Sequence, residues 1–379
     1  MFQRLRIQTA GESHGPALTG LLEGLPAGIF IDQDWIQLRL KERQSGFGRS
    51  GRQKIETDTA IFLGGVYKGL TTGAPIAIQI PNVDQSLFKE SQTLGSQTPR
   101  AGHADLPGMI KYGFQDAVPI LERASARETA LRVAFGSVAE CLLKEFSIQV
   151  VGRVVRVGSV ASEEKIPFSD WRKRVVSTEF RCGDLAAEEK MREVIVEAAR
   201  LGDTLGGHFQ IAVLGLVPGL GSHVGWQTRL DARLSAAMLS IPAIKGIEFG
   251  MGFKMGEEKG SSVHDVIGFD PEKKPWGYVR ETNRAGGIEG GMTNGEPVWF
   301  TCVMKPLSSL RASLNSVDVR TKQRAKAPAP RSDVTAVASA CVVAEAMAAL
   351  VIADAFLEKF GGDSLEEIRH NYKGYLSHG

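Results

Sequence analysis

Two histidines in this chain sit in short glycine-bounded segments, Gly11-Glu12-Ser13-His14-Gly15 and Gly102-His103-Ala104-Asp105. Between them runs a basic, glycine-rich stretch, Arg43-Gln44-Ser45-Gly46-Phe47-Gly48-Arg49-Ser50-Gly51-Arg52. Imidazole exchanges a proton near neutral pH. The guanidinium fork grips phosphate and carboxylate oxygens in pairs, and glycine lets a ligand come close to the main chain. The combination points to proton transfer on a small, highly anionic molecule. Taken singly, each segment reads as an ordinary turn. Further along, Gly286-Gly287-Ile288-Glu289-Gly290-Gly291-Met292-Thr293-Asn294-Gly295 holds too many glycines for a regular element and suits a flat or phosphorylated ligand. Lys305-Pro306-Leu307-Ser308-Ser309 sets an amine beside two hydroxyls, a plausible phosphate clamp. No P-loop is present and no Gly-x-Gly-x-x-Gly opens a strand-to-helix unit, which speaks against a nucleoside-triphosphate or Rossmann site.

These groups need elements to hold them. Alternation at Leu5, Ile7 and Thr9 predicts a first strand. Residues 21–31, broken by Gly24, Pro26 and Gly28, read as strand and turn, residues 35–42 as a short helix, and residues 71–80 as another strand. Ser125 and Glu128 stand at capping-box spacing before Ala130, Val133, Ala134, Val138, Cys141 and Leu142, which recur at helical intervals. The start of such a helix attracts anions, and Arg123 and Arg127 lie beside it. A charged helix over 179–201, a strand over 208–217, a helix over 230–239 and a strand over 298–304 follow. Residues 253–262, 269–277 and 315–330 read as exposed loops. The last carries Arg320, Lys322, Arg324 and Lys326, either a solvated basic loop or a lid over an anion. Ser332 or Asp333 is a natural N-cap for the Ala-rich stretch behind it, and a chemical role for Asp333 competes with that reading.

Composition narrows the class. The chain has 379 residues, 43% hydrophobic and 23% charged, as in a soluble globular protein. A net charge of +2 means that any anion site comes from local clustering, and it argues against a general nucleic-acid binder. Cys141, Cys182, Cys302 and Cys341 are widely spaced, so neither a disulfide framework nor a zinc site is expected and a reducing cytoplasm fits. Met1-Phe2-Gln3-Arg4-Leu5-Arg6 lacks the apolar run of a signal peptide. The one stretch of membrane length, 336–356, carries Glu345 and Asp354 and reads as a buried helix, with no membrane partner.

In chain order, the segments 11–15, 43–52 continuing into Lys54-Ile55-Glu56-Thr57-Asp58, 102–105, Glu122-Arg123-Ala124-Ser125-Ala126-Arg127-Glu128-Thr129-Ala130, 202–207, 283–295 and Arg331-Ser332-Asp333 resemble the chorismate synthase family over nearly the whole chain. That resemblance implies a lyase that converts 5-enolpyruvylshikimate 3-phosphate to chorismate by 1,4-anti elimination of phosphate, with reduced FMN and no net redox change. It implies His103 as the acid near the substrate phosphate and His14 as the group near flavin N1. It implies Asp333 with Ser13 as the relay from flavin N5, the flavin itself taking the C6 hydrogen. Arg43 and Arg49 match substrate-binding positions also linked to NADP, and Arg127 is a further substrate contact. Arg123, Ala124, Ser125, Pro242, Ala243, Gly290, Lys305, Pro306, Leu307, Ser308, Ser309 and Arg331 match FMN contacts. The implied fold is α+β, a layered β-α-β-α sandwich in one large domain spanning 1–379 with internal pseudo-symmetry. Mobile active-site loops at 43–53 and 315–330, a homotetramer and a cytoplasmic location complete the implied picture. The chain lacks a long insertion, which favours a separate flavin reductase over NADPH oxidised by the chain itself. Val118 stands where many members have arginine, and Ala338 where many have proline; the latter change favours helix continuity. Two rivals remain at this level: a noncatalytic anion- or RNA-binding protein, and another FMN-dependent enzyme on a phosphorylated substrate.

Overall fold

The computed structural model describes residues 1–49, 57–83, 96–176, 178–273, 275–328 and 333–378. A first antiparallel sheet is built from β1 (Arg6–Ala10), β2 (Ala17–Glu23), β3 (Ile61–Gly64) and β4 (Ile76–Pro81), in the order β1-β2-β4-β3. A second holds β5 (Gln149–Val157), β6 (Val160–Ala161), β7 (Gly207–Leu214), β8 (Ile244–Phe249) and β9 (Val298–Met304), in the order β8-β9-β7-β5-β6. The helices are α1 (Gln33–Gln44), α2 (Asp105–Tyr112), α3 (Val118–Ala124), α4 (Thr129–Lys144), α5 (Phe168–Val175), α6 (Leu185–Leu201), α7 (Leu230–Leu239), α8 (Val337–Phe360) and α9 (Leu365–Leu376). The chain is α+β.

Helices α4 and α8 pack on each other between the two sheets, α4 against the first and α8 against the second. Small residues set the spacing: a Cβ on Gly136 of α4 would fall on Ala346 of α8, and one on Gly20 of β2 would meet the Phe135 ring. The far face of β5 has its own small core, Val151, Ile166, Trp171 and Ala212, covered by α5. Helix α8 is apolar all round and buried all round, as a central core helix should be. Its two acids are neutralised in place. Glu345 accepts from Arg39 of α1 at 2.7 Å and from Arg181 at 2.9 Å. Asp354 pairs with Arg233 of α7 and accepts the backbone N–H of Leu5 at 2.6 Å.

Several local expectations needed correction. Residues 71–80 do not form one strand, because Thr72-Gly73-Ala74-Pro75 turns the chain before β4. Helix α6 starts at Leu185, capped by Asp184, and not at 179. Helix α5 was not foreseen. Ser125 and Glu128 form no capping box: Ser125 caps a 3₁₀ turn, Ala126–Glu128, while the Glu128 side chain takes Thr9 Oγ1 at 2.9 Å and Arg132 Nε at 2.9 Å. Residues 315–330 are not a bare loop, since Asn315–Val317 and Arg324–Lys326 pair as a hairpin. Residues 253–262 likewise contain a 3₁₀ turn, Gly252–Glu257, and a short helix, Gly260–Val263. Asp333 does not cap α8, whose cap is Ala336 without a side-chain bond; Ser332 lies outside the described residues.

Candidate functional site

The last turn of α1 is fixed from two sides. Arg39 is bound into the half-buried Glu42 and the buried Glu345, and the Ser339 hydroxyl of α8 donates to the Arg43 carbonyl at 2.5 Å. This delivers Arg43 to Asp58, a carboxylate with no exposed surface, at 2.5 Å. Arg127, just past α3, pairs with the other oxygen of Asp58 and donates through Nε to Asn82 Oδ1 at 2.8 Å. Burial would raise the Asp58 carboxyl, but the two guanidiniums outweigh it and hold it below the usual carboxylate range. Asn82 in turn donates to the Gly15 carbonyl at 2.7 Å, joining this group to the first histidine segment.

In that segment His14 is buried, and Nδ1 lies 2.7 Å from Glu122 Oε1. The His14 backbone N–H donates to Glu122 Oε2 at 2.8 Å. His14 Nε2 is buried with no hydrogen-bond partner among the described residues. Ser13 Oγ lies 3.0 Å from Ser125 Oγ, and Arg123 donates to Thr9 Oγ1 at 2.8 Å. Ala124 is the last residue of α3 between them. Past α1, the Val334 N–H donates to the Gly48 carbonyl at 2.8 Å, and beside this tie Arg49 Nη1 meets Asp333 Oδ2 at 3.1 Å. Burial lowers the Arg49 guanidinium; Asp333 opposes this and Arg43 adds to it. Arg43 Nε and Arg49 Nε are buried donors and His14 Nε2 a buried ring nitrogen, none of them with a hydrogen-bond partner among the described residues. Such atoms are uncommon in folded proteins and each calls for a water, an ion or a ligand; Arg39 Nε, Arg181 Nε, Glu140 Oε1 and Thr335 Oγ1 share the property.

The second histidine belongs to another group, at the start of α2. His103 Nδ1 lies 2.5 Å from Asp105 Oδ1, and Arg100 reaches Asp105 through Nε at 2.9 Å and through Nη2 at 3.0 Å. Burial would raise Asp105, but bonds from His103 and Arg100 drive it well below the usual range. Arg100 Nη1 also donates to Ser309 Oγ at 2.9 Å, and Lys305 Nζ donates to the Gly102 carbonyl at 2.8 Å. Burial and nearby Lys245 lower the Lys305 amine. The turn 305–309 is held by Thr204 Oγ1 donating to the Leu307 carbonyl, and Ala243 accepts the Lys305 N–H at 2.9 Å. Ala243 carries φ of 69°, a left-handed position unusual for alanine. The Asn315–Val317 hairpin leans on the same region through Ser316 Oγ and the Pro99 carbonyl, 2.5 Å apart.

The structure thus joins Ser13, His14, Arg43, Arg123, Ser125 and Arg127 around Asp58 and Glu122, and joins His103 to Lys305 and Ser309 around Arg100 and Asp105. Gly290 stands apart from Pro242 and Ala243: its hairpin packs on the N-terminal end of α7, where the Leu230 N–H donates to Gly291, and the dipeptide follows the C-terminal end. Arg331 lies outside the described residues, as do residues 50–56 of the basic stretch. Sequence reasoning gave no role to Asp58, Asn82, Arg100, Asp105 or Glu122. Three of them lie within segments already singled out, but spacing does not reveal which carboxylate faces which base.

The chorismate synthase family model matches residues 5–357. The chain belongs to the chorismate synthase family. It is 48% identical over 387 residues to a chorismate synthase of Trichlorobacter lovleyi, covering 98% of this chain and 99% of that one. It is 47% identical to the one of Thermobifida fusca, with 98% of each covered. A solved crystal structure of chorismate synthase superposes with a TM-score of 0.82 at 39% identity, covering 100% of this chain and 99% of that chain. Chorismate synthases are lyases of the last step of the shikimate pathway, which leads to the aromatic amino acids, and the chain is an enzyme of that step.

Proposed function

We propose that this chain carries out the elimination with reduced FMN, using the two imidazole groups described above as separate proton sites. The substrate, 5-enolpyruvylshikimate 3-phosphate, loses its C3–O bond and a hydrogen from C6, so a second ring double bond forms and phosphate leaves. Reduced FMN, when bound, supplies electron density to the ring losing phosphate and accepts the C6 hydrogen. The observation that carries the reading is that each histidine holds a buried carboxylate at Nδ1 among basic residues, while Nε2 of His14 is left without a partner.

Arg43, Arg49 and Arg127 bind the substrate's carboxylates and phosphate, and Arg43 and Arg49 are also the contacts for NADP if it is used. His103 delivers a proton to the departing phosphate, with Asp105 holding Nδ1 and leaving Nε2 to act. His14 offers Nε2 to the polar edge of the flavin ring, and Ser13 with Asp333 moves a proton to and from that cofactor. Acid–base help of this kind is worth about 10²–10⁴-fold for each group. The residues fit FMN in their chemistry: an unpartnered imidazole nitrogen for the ring, and the Lys305 amine with the Ser308 and Ser309 hydroxyls for a phosphate. Arg123, Ala124, Ser125, Pro242, Ala243, Gly290, Pro306, Leu307 and Arg331 complete that contact set. Around them we infer the family's β-α-β-α sandwich as one domain with internal pseudo-symmetry, assembled as a homotetramer in the cytoplasm. A separate flavin reductase supplies the electrons.

An anaerobic assay with the purified protein, reduced FMN and 5-enolpyruvylshikimate 3-phosphate tests the reading. Chorismate and phosphate form together if it is right; absence of both with the flavin still reduced overturns it. NADPH oxidation with FMN and no added reductase would overturn the outside electron supply.

A further inference from the structure

Arg132, near the start of α4, grips the far end of another helix. Its Nη1 donates to Ser240, the residue on which α7 ends, at 2.8 Å to Oγ and at 3.2 Å to the carbonyl. The last carbonyls of a helix have no partners within it, and a cation there meets the negative end of the dipole. On the other side, Arg132 Nε donates to Glu128 Oε2 at 2.9 Å. Glu128 Oε1 accepts the Thr9 hydroxyl of β1 at 2.9 Å, and Thr9 Oγ1 accepts from Arg123 at 2.8 Å. A line of bonds thus runs from Arg123 through Thr9, Glu128 and Arg132 to Ser240.

Each end of that line adjoins a stretch assigned above to FMN: Arg123, Ala124 and Ser125 at one end, Pro242 and Ala243 just past Ser240 at the other. Ala243 stands at φ 69°. A residue other than glycine keeps such a conformation only where its surroundings impose it. On one side Ala243 is tied by the Lys305 N–H, which its carbonyl accepts at 2.9 Å. On the other side the tie is Arg132 on Ser240. We propose that Arg132 is a positioning residue for the flavin: it holds residues 240–243 against α4 and β1, and so sets the separation of the two FMN-contacting stretches. The proposal rests on the contact set given above for its link to FMN; the tie itself does not.

Glu128 and Arg132 also make an ion pair four residues apart on the chain, and such a pair is worth little alone. Lysine separates the two roles. Arginine serves Glu128 and Ser240 at once, through two nitrogens of one rigid plane. A lysine ammonium keeps the charge beside Glu128, but its single nitrogen on a flexible stem does not reproduce that bridge. An ion pair would survive Arg132→Lys; the tie to α7 would not.

The test is binding of oxidised FMN to the full-length protein, read from the quenching of flavin fluorescence, so that no turnover is needed. Arg132→Lys and Arg132→Met should each raise the FMN Kd by about tenfold, the scale of a lost charge-assisted hydrogen bond. The KM for substrate, at saturating reduced FMN, should change much less. Ser240→Ala, at an exposed position, should raise the FMN Kd by about threefold. Arg132→Met combined with Ser240→Ala should bind FMN no more weakly than Arg132→Met alone, because both cut one tie. In the flavin-free protein, hydrogen exchange of the Lys305 amide should be faster in Arg132→Lys. A folded Arg132→Lys protein with wild-type FMN affinity overturns the proposal, and so do additive losses in the double variant. If neither Arg132 variant folds, an unchanged FMN Kd in Ser240→Ala overturns it. A wild type that binds FMN yet makes no chorismate leaves the positioning role standing and removes the proposed function. A wild type that binds no FMN overturns both.

Discussion

Asp58 offers the most demanding test of how the basic groups are held. It has no exposed surface, and it accepts from Arg43 at 2.5 Å and from Arg127 through its other oxygen. Asp58→Asn keeps the shape and removes the charge. The amide retains one carbonyl, so one guanidinium keeps an acceptor and the other faces an NH₂ group, donor against donor. Breaking a buried ion pair by removing one partner costs about 3–5 kcal/mol. Unfolding entropy near 2.1 cal/mol/K per residue gives roughly 0.8 kcal/mol/K for a chain of this length. The melting temperature should therefore fall by about 4–6 °C. Because the lost negative charge leaves the two arginines repelling each other, a phosphate dianion should replace part of it. Inorganic phosphate should raise the Tm of Asp58→Asn more than that of the wild type. The assay is a pair of thermal melts with and without phosphate, at fixed protein concentration and matched ionic strength, since assembly and screening both move Tm. A loss below about 1 kcal/mol, or an equal phosphate increment in both proteins, would refute the reasoning.

Acid should expose the same ionic groups. Asp58 and Asp105 have folded pKa values below their unfolded ones, so their stabilisation is present above the unfolded value and is lost as pH falls through the folded one. Urea midpoints should decline steadily below about pH 5, and Asp105→Asn should flatten that decline. Gly136→Ala would place its Cβ on the Ala346 backbone where α4 crosses α8, so despite the better helix former it should destabilise by about 1–3 kcal/mol in urea titrations. His103→Ala and Asp333→Ala should each lower turnover about tenfold or more with the far-ultraviolet spectrum unchanged; a wild-type rate in either removes that residue from the mechanism. Arg49→Ala should weaken substrate binding more than FMN binding in equilibrium titrations, and the reverse preference would move this arginine to the flavin.

What the sequence revealed followed the range of each interaction. Helix α7 and strand β9 were legible to the residue, because periodicity is a local signal. The charges of α8 were legible as evidence against a membrane span, but not their partners, since Arg39, Arg181 and Arg233 lie far away in the chain. The capping readings of Ser125–Glu128 and Asp333 went astray for one reason. A short polar side chain before a helix serves either the helix or something across the fold, and local spacing does not distinguish them. Glu128 was taken by Thr9 and Arg132, and Asp333 meets Arg49. At the site, the histidines, arginines and lysine were legible by type and segment. The carboxylates that orient them were not: Asp58 reaches Arg127 across 69 residues of chain and Glu122 reaches His14 across 108, while Asp105, two residues from His103, was hidden because spacing does not show which way a side chain turns.

The ionic groups of this fold differ in their balance of charge, and that difference separates scaffold from site. In the core, Arg39, Arg172 and Arg181 face Glu42, Glu140 and Glu345, three formal positive charges against three negative. Such a set balances its formal charge and holds α1, α4, α5 and α8 together, although Arg39 Nε, Arg181 Nε and Glu140 Oε1 are buried without a hydrogen-bond partner among the described residues. At the start of α2, Arg100 and His103 share the single carboxylate of Asp105. With His103 protonated, that group carries an excess positive charge, and Lys305 stands next to it at the Gly102 carbonyl. A buried excess charge is costly unless an anion answers it. A near-neutral chain can therefore bind a phosphorylated dicarboxylate without a basic surface. It balances its formal charges where they hold the fold, and leaves the imbalance beside His103, the group proposed above to meet the departing phosphate.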